Sequence, residues 1–292
     1  MIDLSQLPAP EVLEELGFED LYQETLGNFR MAMGDNWTAA LESDPVVKLL
    51  EEGAYQKLLN RARINDAAKA LLLAYAQGND LDQIGANYSL TRLIVREADN
   101  TVVPPLARIM EEDDAFRERI QLVFEGLTTA GPRNSYILHS RSASALVGDA
   151  SAESPSPATV VVTVQHLSGT GAVNQALLNT VAAALNDDKV RPLGDRVVVQ
   201  GAQILPYEIK ATVHMQGSGP ENETVLATAK ANLLAKVNPR RRLGVPVARS
   251  GIDALLHIDG VAWVELAGWT DLKPNAAQAA YCTKVTVTKG VV

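Results

Sequence analysis

Displaced by 48 residues, the second half of the chain falls onto itself. His166 lands on His214, Gly169 on Gly217, Gly171 on Gly219 and Asn174 on Asn222. Leu178, Thr180, Ala183 and Leu185 land on Leu226, Thr228, Ala231 and Leu233, and Thr170 meets Ser218. Each copy opens on a predicted strand, the β-branched run Thr159–Val164 or the partly alternating Tyr207–Val213, and continues through a Gly-x-Gly turn into a helix. A single duplication is too short for a solenoid. Two strand-turn-helix units predict a ferredoxin-like α/β sandwich, with two tandem copies of a small fold as the alternative. The copies are expected over 159–202 and 207–266, inside an α/β domain spanning 159–292.

Before residue 149 the pattern is helical, so the fold class is α+β. Acids follow Pro10 at Glu11, Glu14 and Glu15, where a helix N-terminus favours them. Asp44-Pro45 is a capping residue followed by proline at the first helical position, and predicts a helix running to Gln77. Glu111–Phe124 is charged and periodic, and Gly131-Pro132 opens another helix. Residues 1–148 therefore read as a helical region. Residues 149–158, Asp-Ala-Ser-Ala-Glu-Ser-Pro-Ser-Pro-Ala, read as a linker.

Charge divides at the same place. Residues 1–150 hold 24 acids against 13 bases, and residues 151–292 hold 11 against 13. The overall balance of −9 argues against a phosphate-gripping nucleic-acid binder. Asn238-Pro239-Arg240-Arg241-Arg242 is the one basic cluster, and an acidic protein is its expected partner. No run reaches the ~18 apolar residues of a membrane span. The opening Met1–Ser5 lacks the features of a signal peptide, so a cytoplasmic origin is expected.

Candidate chemistry is sparse. Gly169-Thr170-Gly171 follows a strand and opens a helix, a place where amides can cradle phosphate. Asn174 stands where a dinucleotide fingerprint needs its third glycine, so a plain structural turn is the better reading. Gly217 and Gly219 repeat that turn. His139, His166, His214 and His257 form no ligand pair at helical spacing. Ser140, Ser142 and Ser144 lack a nucleophile-elbow setting. Cys282, the one cysteine, reads as a core thiol. No metal, cofactor or catalytic residue is expected; a nucleotide-binding or tail-associated enzyme using the Gly169/Gly171 turn is the competing reading. Val47, Leu50, Ala54 and Leu58 form an apolar stripe that Leu49, Leu59 and Ala62 widen enough to serve a second chain; Val47, Leu50, Ala54, Leu58, Leu59 and Ala62 are the candidate assembly interface.

Several long ordered segments point further. They are Ile2-Asp3-Leu4-Ser5-Gln6-Leu7-Pro8-Ala9-Pro10, Leu41–Glu52, Arg61–Ala68, Asp80-Leu81-Asp82 with Ile84-Gly85-Ala86, and Thr129-Ala130-Gly131-Pro132 with Tyr136, His139 and Ser142-Ala143. Ser154-Pro155-Ser156-Pro157 then leads into the valine-rich strand. Together they resemble the baseplate assembly protein J family of contractile phage tails and R-type pyocin-like tailocins. Two departures stand out. Ser144 lies where an aspartate is common, and Asn87-Tyr88-Ser89-Leu90 replaces a glycine-containing stretch. The resemblance implies a structural wedge protein without enzymatic activity. Paired copies in each of six wedges would form an inner ring around the tail hub. Other wedge proteins, the hub and the sheath would be its partners, neither nucleic acid nor membrane would be bound, and assembly would take place in the bacterial cytoplasm.

Overall fold

The structure is a computed structural model that describes residues 3–8, 10–34, 37, 41, 43–127, 131–217, 219, 221–239 and 241–290. Arg240 and Ser218 lie outside them. The chain divides into two compact units, Met1–Thr91 and Arg92–Val292.

The first unit is helical. Helices α1 (Phe18–Met33) and α2 (Pro45–Ala70) pack on each other, and α3 (Gly78–Ala86) follows. Helix α2 begins where Asp44-Pro45 predicts, with the Asp44 carboxylate accepting from the Val46 amide at 2.9 Å. It ends at Ala70 rather than Gln77, and residues 71–75 turn instead. The helix expected from Glu11 does not form, because another partner takes its backbone. Glu14 donates its amide to Asn65 Oδ1 and accepts from Asn65 Nδ2, which holds the segment against α2. The helix starts at Phe18, after Gly17.

The second unit opens with a narrow hairpin, β1 (Ile94–Arg96) and β2 (Ile109–Met110), joined through the Asp99–Leu106 bridge. Helices α4 (Asp113–Leu122) and α5 (Arg133–Ala143) follow. Where a linker is expected over 149–158, residues 149–156 are strand and 157–158 a turn: β3 (Val147–Ser156) pairs antiparallel with β4 (Thr159–His166). Its inner positions, Ala150 and Ala152, are buried. As the edge of its sheet, β3 tolerates Pro155 near its exposed end. Because α5 packs on β3, the helical region does not run to residue 148 as one body.

Two three-stranded sheets carry the repeat. In the first, β4 lies between β3 and β5 (Arg196–Gly201), parallel to β5. In the second, β6 (Gln203–Met215) lies between β7 (Val261–Leu266) and β8 (Gln278–Lys289), parallel to β8. The central strands β4 and β6 correspond at the 48-residue offset, as do α6 (Gln175–Leu185) and α7 (Asn222–Val237). Beyond them the copies diverge. The second inserts α8 (Arg249–Leu256) and β7 before its parallel strand, and its antiparallel edge follows the centre instead of preceding it. The arrangement is two small mixed sheets in tandem, not one ferredoxin-like sandwich. Each keeps its own core: Val162, Val164, Val181 and Leu185 in the first, Ile209, Val213, Leu233 and Leu256 in the second.

The turns do not superpose. Gly169 and Gly171 have φ of +66° and +94°, whereas Gly217 has no positive φ. A Cβ on Gly171 would lie 2.9 Å from the Gln165 side chain, while one on Gly217 would meet nothing. Gly171→Val should therefore cost about 1–3 kcal/mol in urea unfolding. Gly217→Ala should stay within about 0.5 kcal/mol of the parent.

Candidate assembly interface

The predicted stripe on α2 divides between inside and outside. Val47, Leu50 and Ala54 are buried, and α2 packs on α1, whose Leu21 and Leu26 are also buried. Leu58 and Ala62 are half-buried. Of the residues that widen the stripe, Leu59 is 43% and Leu49 71% exposed, and Ile64 beyond them is 62% exposed. At about 100° per residue, Leu49 stands about 200° round the helix from Val47. Helix α2 thus has two apolar faces, and its own unit covers one.

The basic cluster is largely committed within the second unit. Arg242 reaches Glu118 at 2.7 Å and Asp149 at 3.7 Å, and Arg141 reaches Glu118 at 2.6 Å. The Leu243 amide donates to Asp149 Oδ2 at 2.9 Å. The loop after α7 is thereby tied to α4, α5 and β3. Burial pushes the Asp149 carboxyl up, against the Leu243 amide and the Arg242 and Arg141 charges. Arg241 donates to the Leu167 carbonyl and lies 5.5 Å from the centre of the Tyr281 ring.

A second buried cluster went unread in the sequence. Arg119 and Glu111 form a two-pronged pair, Nε to Oε1 at 2.8 Å and Nη2 to Oε2 at 2.7 Å. Arg92 donates to the Glu111 carbonyl and pairs with Asp113 at 2.6 Å. The guanidiniums of Arg92 and Arg119 lie 5.1 and 5.4 Å from the centre of the buried Phe116 ring. This knot joins the base of the hairpin to α4. Glu111 and Asp113, from the acid run that leads into α4, carry part of it.

Several amides in and around the Gly-x-Gly turn are bonded within the chain. Ser168 N donates to His166 Nδ1, Gly171 N to the Ser168 carbonyl and Leu177 N to Asn174 Oδ1. The equivalent His214 instead stacks on Trp263, with ring centres 4.2 Å apart. Gly219 sits against the Glu221 carboxylate. Cys282 is buried, and burial raises its thiol pKa, as expected of a core thiol. Among the described residues no group of three His, Cys, Asp or Glu could hold a metal, and no helix is long and apolar enough to cross a membrane.

Two family profiles match the chain. The Baseplate J-like N-terminal domain covers residues 42–99, and the Baseplate J-like central domain covers 128–201. The second range spans α5 through β5, the first of the two small sheets. Across 297 aligned residues the chain is 45% identical to Baseplate protein J of Escherichia phage P2, covering 99% of this chain and 98% of that one. The chain belongs to the baseplate J-like family. Among solved structures, this baseplate J-like chain is similar to one in the cryo-EM structure of the anti-feeding prophage baseplate, 6-fold symmetrised. There the TM-score is 0.42 and the identity 11%, over 62% of this chain and 46% of that one.

Proposed function

We propose that this chain is a structural, non-enzymatic component of the baseplate of a contractile phage tail or phage-tail-like bacteriocin. Its near-full-length identity to Baseplate protein J carries the reading. In it, paired copies join another wedge protein, six wedges ring the tail hub, and the ring holds the sheath extended until contraction. Assembly takes place in the cytoplasm of the producing cell. The exposed apolar face of α2 supports an assembly role, and Asn174 in place of the fingerprint's third glycine favours structure over nucleotide binding.

Electron microscopy of particles from a strain lacking the chain tests this. Tails without baseplates are expected, and gold label on a tagged, complementing copy should fall at the tail end. Normal baseplates, or label elsewhere on the particle, would overturn the reading. So would hydrolysis of murein or nucleotide by the purified chain, lost on a single substitution.

A further inference from the structure

Beside α7 and α8 in the second unit lies a cleft of about 230 Å³, walled by Val237, Pro246, Ile252 and Leu255 and edged by Lys236 and Arg241. The two cations differ from their neighbour Arg242, which has carboxylate partners. Among the described residues neither Lys236 nor Arg241 has a carboxylate within 4.0 Å. Lys236 is exposed. Arg241 is partly buried, and burial works against its charge, offset in part by Tyr281 and not by a carboxylate. A partly desolvated cation beside an apolar cleft is complementary to an acidic segment with aliphatic side chains.

The chain carries such a segment. Residues 1–91 hold 15 acids against 6 bases, while residues 92–292 hold 20 of each. The whole net charge of −9 therefore falls on the first unit. Five of those acids lie in Glu11–Asp20, interleaved with Val12, Leu13, Leu16 and Phe18. Glu14 is held to α2 by Arg61 and Asn65. Val12 is 60% exposed, and Glu11 and Glu15 are exposed beside it.

We propose that the Glu11–Asp20 segment of one copy docks in the Lys236/Arg241 cleft of a second copy. Docked head to tail, the contact is heterologous, the kind that closes rings when the rotation allows. It deepens the baseplate reading by naming one surface through which copies join.

Sedimentation velocity of the full chain tests it. The parent should self-associate at low ionic strength and less so in high salt. Lys236→Glu with Arg241→Glu should weaken association at least about tenfold, as should Glu11→Lys with Glu15→Lys. An equimolar mixture of the two variants should regain it, because reversed cleft then meets reversed segment. Recovery also requires that both be folded. If Arg241→Glu lowers the thermal midpoint, Lys236→Glu alone, on an exposed side chain, decides the matter by the same mixing.

A parent monomeric at about 100 μM would overturn the proposal, since a contact that weak could not build a ring unaided. So would folded variants that associate like the parent, or a mixture that fails to recover. Failure here would leave the labelled position in the particle, and with it the baseplate reading, unchanged.

Discussion

Particles built with Leu49→Asp and Leu59→Asp are expected to lack baseplates, although the purified variant should melt within a few degrees of the parent. Both residues lie on the uncovered face of α2, 71% and 43% exposed. Polar substitution at such sites ordinarily changes monomer stability by no more than about 0.5 kcal/mol. At a packed interface the same change buries a carboxylate without a partner, which costs several kcal/mol per site. Leu50→Asp would not separate these effects. Leu50 is buried in its own unit, so that variant should damage the fold itself. Negative-stain microscopy of complemented particles, beside circular dichroism of the free chain, checks both halves. Normal baseplates would show that this face of α2 serves no other chain.

The buried pair predicts the largest loss of stability. Arg119→Met should destabilise the second unit by about 3–5 kcal/mol, because it leaves Glu111 buried and charged without its partner. The side chains of Arg119 and Glu111 are only 3% and 7% exposed, so water cannot take over. Arg119→Met with Glu111→Gln should recover much of the loss, since neither charge then remains. The Leu93 amide would still have a side-chain acceptor in the glutamine. Urea unfolding of the parent, both single variants and the double variant gives the coupling directly. A single variant within about 1 kcal/mol of the parent would show that the pair is solvated in solution.

Local signals were legible where the chain's own neighbours decide the structure. Asp44-Pro45 announced α2, and the matches between Asn174 and Leu233 located α6 and α7. Contacts distant in sequence were not. Arg242 looked like a free cation because its partner Glu118 lies 124 residues away. Asp149–Ala158 looked like a linker because serine and proline dominate it. An edge strand with small buried side chains needs no β-branched run when a valine-rich strand lies beside it. The Gly-x-Gly repeat overstated the likeness of the two turns, since residue identity does not fix φ. The α2 stripe was readable, but not which of its sides the chain would cover.

One residue, Ala202, separates β5 from β6, and its amide is already bonded to the Val164 carbonyl. The next amide, Gln203, is bonded to the Ala277 carbonyl, and Ser151 reaches across to Ala276. No slack is left between the two sheets. A pull on β8 passes through its long parallel seam with β6 and reaches the first sheet without a compliant joint. The pair of sheets would behave as a stiff strut, able to transmit displacement and poorly suited to absorbing it.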